Sequence, residues 1–203
     1  MYSQEQKFLI AFLRSITDIP STEIEKALDI FHVSKLQKNQ FLVCAGEVPT
    51  TLAFLVSGIL RLYYISDSGF EFTKSFCVEG DMVAAYTALL NNEPSNLFIQ
   101  ALEDSELLIA NYEEYQAITG ESPCWQKVNQ NIAERLFMKK EKRESSLLLD
   151  DAQTRYMEFK DEYPGLESRV KQHLIASYLG ITPVTLSRIR ARLRKSLSYD
   201  NED

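Results

Sequence analysis

The sequence is poor in the residues that build metal and disulfide sites. Its 203 residues include three cysteines and two histidines. Cys44, Cys77 and Cys124 are far apart and form no C-x-x-C pair, which indicates neither a disulfide framework nor a zinc or iron–sulfur site. His32 and His173 have no companions at ligand spacing. We therefore predict no metal and no cofactor, with packing roles for the cysteines; a redox-sensing thiol is the alternative.

Long apolar runs are also missing. No stretch approaches the roughly 20 apolar residues that a membrane-spanning helix needs. The first residues lead into an amphipathic pattern, not into an apolar segment followed by a cleavage site. We expect a cytoplasmic protein with no membrane partner. A hydrophobic content of 45% without repeats or low-complexity stretches is typical of globular domains.

Acidic residues are absent near one end of the chain. The segment 168–199 holds seven basic side chains and no Asp or Glu, although the whole chain has a formal charge of −7. The other residues carry 15 basic and all 29 acidic side chains, a balance of −14. Such a distribution attracts phosphates to one end and discourages non-specific adhesion elsewhere. It indicates a nucleic-acid partner for the basic segment.

The basic segment has the pattern of two helices joined by a tight turn. The first helix has apolar residues on one face, at positions 174, 175, 178 and 179. Gly180 can adopt the positive φ of a turn, and Thr182 and Pro183 suit the cap and first position of the next helix. That second helix carries an apolar stripe formed by Leu186, Ile189 and Leu193. The pattern predicts a helix-turn-helix that binds double-stranded DNA.

The side chains off this stripe supply the candidate DNA contacts. Those expected to face the major groove are Val184, Ser187, Arg188 and Arg192, preceded by Pro183 at the first exposed position. Those expected at phosphates are Arg169, Lys171, Thr182, Thr185 and Arg190. A solvated helix face with arginines by chance is the alternative interpretation.

The first 120 residues predict two helices followed by β-structure. Residues 5–16 and about 20–31 have apolar side chains at helical spacing. From about Val33 to Tyr112, short runs rich in β-branched and aromatic residues alternate with turn signals, which indicates an antiparallel sandwich or barrel. Within this region, residues 59–65 and 70–76 predict a hairpin with a four-residue loop that ends at Gly69.

After Pro123 the pattern becomes helical again. Apolar residues recur at 3/4 spacing and precede a charged run at 139–144: Trp125, Val128, Ile132 and Leu136. We favour a subunit interface for this helix, because palindromic DNA sites require twofold proteins; packing on the β-region is the alternative. A further helix at 151–163 ends at Pro164-Gly165. The predicted domains are a β-domain with N-terminal helices (1–120), the long helix (121–149) and a DNA-binding domain (150–203).

This order resembles the cyclic-AMP receptor protein/FNR (Crp/Fnr) family of bacterial transcription regulators over nearly the whole chain. The residues similar to the family's cyclic-nucleotide-binding-like β-roll are Gly46-Glu47, 55–62 with Gly58, the hairpin with Gly69, and Glu79-Gly80-Asp81. The resemblance implies an α+β fold with an antiparallel β-roll, a long dimerisation helix and a C-terminal helix-turn-helix. It also implies a homodimer that binds pseudo-palindromic promoter DNA and contacts RNA polymerase. Because ten residues follow Leu193, the usual β-hairpin wing is expected to be short or absent.

The chain departs from the cyclic-nucleotide-binding members of that family. Their Gly-Glu pair, which holds the ribose, is replaced by Ala84-Ala85, and their phosphate-clamping Arg-Ser pair by about Ser95-Asn96. No Lys or Arg occurs from 75 to 126, so this stretch offers no cation to a cyclic phosphate. We therefore expect an unknown effector or none, with Tyr86, Ser95 and Asn96 as candidate pocket residues. A surface loop is the alternative for these three.

The recognition helix departs as well. The family's receptor protein has Arg and Glu at its first exposed recognition positions, whereas this chain has Pro183 and Val184 and retains Arg188. Arginine recognises guanine through two hydrogen bonds, worth roughly 1–3 kcal/mol of discrimination. Val184 can contact an apolar group such as a thymine methyl. A half-site different from that of the receptor protein is expected.

Other types of protein fit these features less well. FNR-like members bind an iron–sulfur cluster through cysteines near the N-terminus, and no cysteine precedes Cys44. A cupin-like metal enzyme needs two or three histidines, and Val33–Tyr112 contains none. No Ser-His-Asp set or phosphate-binding glycine loop is evident either, so we predict no catalytic residues and no enzyme. A ligand-sensing or interaction module whose helical end binds a protein is the alternative function, and it predicts binding insensitive to salt.

Overall fold

The computed structural model describes residues 2–120 and 122–199, with side chains through Lys195. The chain forms two compact units. One comprises the residues up to Ile65 together with Lys74–Phe137, and the other comprises Ser66–Thr73 and the chain from Met138 onward. The boundary between Phe137 and Met138 falls inside the predicted long helix (121–149), whose residues are therefore divided between the two units.

The first unit opens with the two predicted helices, α1 (Gln4–Ile16) and α2 (Ser21–Ile30). Ser3 begins α1 with a capping box: its hydroxyl accepts from the Gln6 N–H, and the Gln6 side chain accepts from the Ser3 N–H. Each helix buries one apolar stripe, which includes Leu9 and Leu13 of α1 and Ile24 of α2.

Eight strands follow, and they confirm the antiparallel β-structure predicted for Val33 to Tyr112. They are β1 (His32–Leu36), β2 (Phe41–Val43), β3 (Thr51–Ser57), β4 (Leu60–Ile65), β5 (Glu71–Cys77), β6 (Met82–Val83), β7 (Phe98–Ala101) and β8 (Ser105–Asn111). One sheet has the order β1-β8-β3-β6 and the other β2-β7-β4-β5. The predicted hairpin is β4–β5, and β5 begins at Glu71, one residue later than expected.

Successive side chains of β3 point to opposite faces of its sheet and therefore belong to two different hydrophobic cores. Ala53 and Leu55 belong to a cluster that includes Leu60 and Ile99 of the other sheet. The intervening residues, Leu52 and Phe54, belong to a second cluster with the N-terminal helices. That second cluster also includes Trp125 and Val128, which anchor the start of the long helix on the β-roll.

Gly58 allows a close approach between the turn before β4 and Ser105. Its φ is +101°, and an added Cβ would lie 2.2 Å from the Ser105 hydroxyl oxygen and 2.7 Å from the Ser105 Cα. A side chain is therefore excluded by sterics as well as by the backbone conformation. This steric limit explains why glycine occupies the turn before β4, a position at which the sequence resembles the family.

Two short helices were not predicted, α3 (Tyr86–Asn91) and α4 (Tyr112–Thr119). The start of α4 has a recognisable signal, because Asn111 accepts hydrogen bonds from the N–H groups of Glu113 and Glu114. Such an Asn followed by acidic residues is a common helix start.

The long helix is α5 (Pro123–Leu149), and three helices of the second unit follow it. These are α6 (Ala152–Glu162), α7 (Gln172–Leu179) and α8 (Pro183–Tyr199), with a 3₁₀ turn at Leu166–Ser168. Three aromatic rings, those of Phe159, Tyr163 and Tyr178, pack together with centroids 5.4–5.8 Å apart. The helix α8 continues through Tyr199, and any wing would involve residues 200–203, which lie outside the described part of the chain.

Candidate nucleic-acid interface

The turn between α7 and α8 has the predicted chemistry. Gly180 has a φ of +67°, and the Ile181 N–H donates to the Ala176 carbonyl at 3.0 Å, which closes α7 with a Schellman motif. The Thr182 hydroxyl accepts from the Thr185 N–H at 3.1 Å and caps α8, whose first residue is Pro183. The helix-turn-helix geometry is therefore fixed by local hydrogen bonds.

Burial then fixes which face of α8 is free. Leu186 and Ile189 are buried, as are Ile175 and Leu179 of α7, and Leu193 is half-buried. The two helices pack through these apolar stripes, as predicted. The opposite face of α8 therefore remains exposed to solvent.

This exposed face carries the predicted groove-facing residues. Val184 is 60% exposed, although it is apolar, and Ser187, Arg188 and Arg192 are exposed as well. Among the described residues, Arg188 has neither an ion pair nor a hydrogen-bond partner. Arg192 makes one long hydrogen bond, 3.5 Å, to the Gln153 side chain. This face therefore offers a hydrogen-bond donor and an apolar side chain, the two kinds of group that contact base edges in the major groove.

The start of α7 lies on the same basic segment. Its N-cap is Lys171, whose side chain makes no cap hydrogen bond. The first amides of α7 thus have no side-chain acceptor, and the partial positive charge of the helix terminus adds to Lys171. Lys171, Arg169 and His173 are exposed. A phosphate could accept from the first amides of α7.

Arg190 corrects one prediction. Its Nη2 lies 3.4 Å from the Glu167 carboxylate, and both side chains are less than one quarter exposed. Tyr156 donates its hydroxyl to the same carboxylate. Burial, with this hydrogen bond, raises the pKa of Tyr156 to about 12. Arg190 is therefore held inside the helical unit and is not presented to phosphate.

Thr182 caps α8 as predicted, and Thr185, predicted only as a phosphate contact, takes part in the same cap. The hydroxyls of Thr182 and Thr185 lie 2.9 Å apart and share a hydrogen bond. Thr182 is exposed, whereas Thr185 is half-buried. Their first function is to hold the start of α8, and Thr182 retains access to a phosphate.

The candidate effector residues are not brought into one cavity. Ser95 is buried, and its hydroxyl donates to the Leu97 carbonyl at 2.9 Å and accepts from the Leu97 N–H at 3.1 Å. That hydroxyl closes a turn and is not available to a ligand, which corrects its assignment to a pocket. Tyr86 is exposed at the start of α3, and Asn96 is exposed beside Ser95. A cavity of about 430 Å³ opens between α1 and α2 instead, and none of these three residues lines it.

The cysteines and histidines show no converging site. No group of three potential metal ligands occurs within the described residues. Cys44 is half-buried, and burial together with the nearby Glu47 carboxylate raises the pKa of its thiol, which disfavours the reactive thiolate. In the described part of the chain, no helix combines the length and the apolar character that crossing a bilayer requires.

The long helix α5 exposes apolar side chains on its outer surface. Three consecutive residues, Leu136, Phe137 and Met138, are 42%, 67% and 58% exposed. Trp125 and Val128, at the start of the same helix, are fully buried. The predicted stripe at 125, 128, 132 and 136 is therefore buried on the β-roll only in its first half.

Comparison with known proteins identifies the fold and the family. Residues 33–122 match the family model of the cyclic nucleotide-binding domain. The chain is 31% identical over 197 residues to the anaerobic regulatory protein of Pasteurella multocida, which covers 87% of this chain and 70% of that protein. It is 30% identical over 201 residues to the fumarate and nitrate reduction regulatory protein of Vibrio cholerae, and the match covers 88% of this chain and 77% of that protein.

Solved structures show the same architecture. FixK2 from Bradyrhizobium japonicum superposes with a TM-score of 0.72 at 17% identity, covering 82% of this chain and 86% of that one. A CooA mutant from Carboxydothermus hydrogenoformans superposes with a TM-score of 0.68 at 23% identity, and the match covers 89% of this chain and 87% of that one. A nucleotide-binding-type β-roll followed by a long helix and C-terminal helices defines a class of bacterial transcription regulators. The chain belongs to the Crp/Fnr family of that class.

Proposed function

We propose that the protein is a homodimer that binds a pseudo-palindromic duplex site, with one α8 helix in the major groove of each half-site. The observation that carries this proposal is the exposed pair Val184 and Arg188 on the face of α8 opposite its buried stripe. The seven cations and the absence of acids in 168–199 supply the non-specific attraction to phosphate.

The contacts divide between sequence reading and positioning. Arg188 pairs with a guanine through its O6 and N7, and Val184 packs on a thymine methyl. Pro183, Ser187 and Arg192 lie on the same face and line the groove. Arg169, Lys171 and Thr182 bind phosphates and set the register of α8. Arg190 is left out of this set because Glu167 holds it.

The second copy is proposed to pack on α5. The exposed residues at 136–138 form a patch that water disfavours and that a twofold-related helix would cover. In such a dimer a twofold axis would relate the two α8 helices. These helices would then reach half-sites about one helical turn of DNA apart, roughly 34 Å. Such a dimer acts on bacterial promoters in the cytoplasm, where RNA polymerase is its expected partner.

The β-roll is proposed not to bind cyclic AMP. The stretch 75–126 offers no cation to a cyclic phosphate, and the Ser95 hydroxyl is already bonded within its own turn. A structural neighbour from Xanthomonas campestris is a c-di-GMP-responsive global regulator. If this chain has an effector, Tyr86 and Asn96 are the exposed candidates. Calorimetric titration with cyclic AMP should give no heat, and a measurable affinity would contradict this part of the proposal.

Salt dependence separates DNA binding from the alternative of a protein partner. Fluorescence anisotropy with a labelled duplex of mixed sequence should give a linear fall of log affinity with log salt, with a slope of about −0.9 for each phosphate contacted. Arg169→Ala or Lys171→Ala should each reduce the slope by about 1. A flat response, with no affinity for duplex DNA at low salt, would contradict DNA binding and favour a protein partner.

A further inference from the structure

Strand β5 ends its sheet, since the order of that sheet is β2-β7-β4-β5. The outer edge of an end strand presents backbone N–H and C=O groups that need partners from elsewhere. Residues two apart on a strand point these groups to the same side. At the hairpin tip, within the second unit, such groups belong to Glu71 and Thr73.

A single hydroxyl of the helix-turn-helix engages both positions. The Ser177 hydroxyl, in the second turn of α7, accepts from the Thr73 N–H at 2.9 Å and donates to the Glu71 carbonyl at 3.1 Å. It therefore uses its donor and its acceptor on one strand edge. Thr73 is buried, so this backbone N–H is shielded from water.

Arg143 of α5 joins the same edge to α7. Its Nη2 donates to the Thr73 carbonyl at 3.2 Å, and its guanidinium lies 3.9 Å from the centre of the Tyr178 ring. Tyr178 is held in turn, because its hydroxyl donates to Glu162 at 3.0 Å. Glu162 forms an ion pair with Lys139 at 3.1 Å, one turn before Arg143 on α5.

We propose that Ser177 and Arg143 are positioning residues for DNA binding, and that they clasp α7 to the edge of β5 at the hairpin tip, which holds the helix-turn-helix in place within the second unit. This inference rests on the proposed function. Neither residue faces the DNA: the exposed Val184 and Arg188 lie on α8, and the clasp leaves them uncovered.

The clasp predicts a specific change in DNA recognition. A free α7 would make the helix-turn-helix more mobile, which raises the entropic cost of aligning two recognition helices with two half-sites. Losing the hydroxyl should weaken specific binding by about three- to tenfold, as expected for one or two hydrogen bonds. It should leave the base preference unchanged, since no group that contacts a base is altered.

The test compares Ser177→Ala with Ser177→Thr, which keeps the hydroxyl, and with Ser145→Ala, an exposed serine of α5, as control. The probe is the duplex that the wild-type protein enriches from random DNA, together with versions that have one base pair added or removed between half-sites. Ser177→Ala should bind the parent duplex more weakly than the wild-type protein does. Its affinity should also fall less than that of the wild-type protein when a base pair is added or removed between the half-sites. Ser177→Thr and Ser145→Ala should behave as wild type. A Ser177→Ala variant with wild-type or tighter affinity and unaltered spacing preference would overturn the proposal.

Hydrogen exchange of the Thr73 amide provides a readout without DNA. That amide should exchange slowly in the wild-type protein and in Ser177→Thr, and much faster in Ser177→Ala, while amides in β7 remain protected. Equal exchange in all three would overturn the clasp. If the wild-type protein enriches no duplex, the proposed function fails, and this exchange measurement still decides whether the clasp exists.

Discussion

Arg190 and Glu167 form an ion pair, with 3.4 Å between Nη2 and the carboxylate, inside the unit that carries the DNA-binding helices. Arg188 lies two residues earlier on α8 and is exposed. Two arginines of one helix therefore differ in their surroundings, and we expect Arg190 to act in the stability of the unit and Arg188 in recognition.

This division makes Arg188→Ala and Arg190→Ala a matched pair. Arg188→Ala should remove the preference at one base pair of each half-site, about 1–3 kcal/mol, with little effect on unfolding. Arg190→Ala should lower the free energy of unfolding by about 1–2 kcal/mol, because it leaves a partly buried carboxylate with one partner fewer. Binding assays on base-substituted duplexes and urea unfolding measure the two effects. The same loss of base preference in both variants would contradict the division.

The exposed patch on α5 can be tested by charge. Phe137→Glu places a carboxylate in the proposed dimer interface, where its desolvation is costly, so the variant should sediment as a monomer. Leu90→Glu, a similar change at a residue of α3 that is 53% exposed, is the control and should sediment as the dimer. Two variants that sediment alike would place the subunit interface elsewhere.

Glycine substitutions test the packing of the β-roll. Gly46 and Gly58 have similar φ values, +92° and +101°, but an added Cβ would meet nothing within 4 Å at Gly46. Gly46→Ala should therefore cost about 1 kcal/mol from backbone conformation alone. Gly58→Ala adds the overlap with Ser105 and should cost at least about 2 kcal/mol more. Urea midpoints for both variants measure the difference, and equal midpoints would refute the close approach.

Tyr156 should make stability fall at alkaline pH. Its pKa is raised to about 12 in the folded protein, above the ordinary value of about 10. The folded state therefore favours the neutral phenol, and the stability from this preference is complete below pH 10 and is lost as the pH rises from 10 through about 12.

The variant Tyr156→Phe removes the ionisable group, so its stability should decline less steeply between pH 10 and 12. It should also be less stable at neutral pH, because the hydrogen bond to Glu167 is lost. Tyr2→Phe, at an exposed tyrosine, is the control. Urea midpoints at several pH values test this, and parallel declines in all three proteins would exclude Tyr156 as the cause.

Local signals predicted the helix-turn-helix well. The positive φ of Gly180, the cap by Thr182 and the buried pair Leu186 and Ile189 all follow from interactions within a few residues along the chain. The β-region was predicted as antiparallel from its spacing of turns. Its two sheet orders were not predicted, because pairs such as β3 with β8 join residues 49 to 60 positions apart.

Contacts that leave no signal in the sequence account for the unexpected features of the site. Glu167 lies just before the acid-free segment, and nothing in the sequence shows that it captures Arg190. Ser95 occupies a family ligand position, yet its hydroxyl bonds to Leu97 two residues away. The contact of Ser177 with Thr73 spans more than 100 residues and has no signal in the sequence at all.

The most direct test of the central claim is a selection of random duplex DNA by the purified, ligand-free protein at two salt concentrations, read by sequencing. We predict enrichment of an inverted repeat with half-sites about one helical turn apart, and weaker recovery at the higher salt. Recovery of duplexes without any enriched sequence, at either salt concentration, would contradict the assignment of α8 as a recognition helix that is competent without an effector.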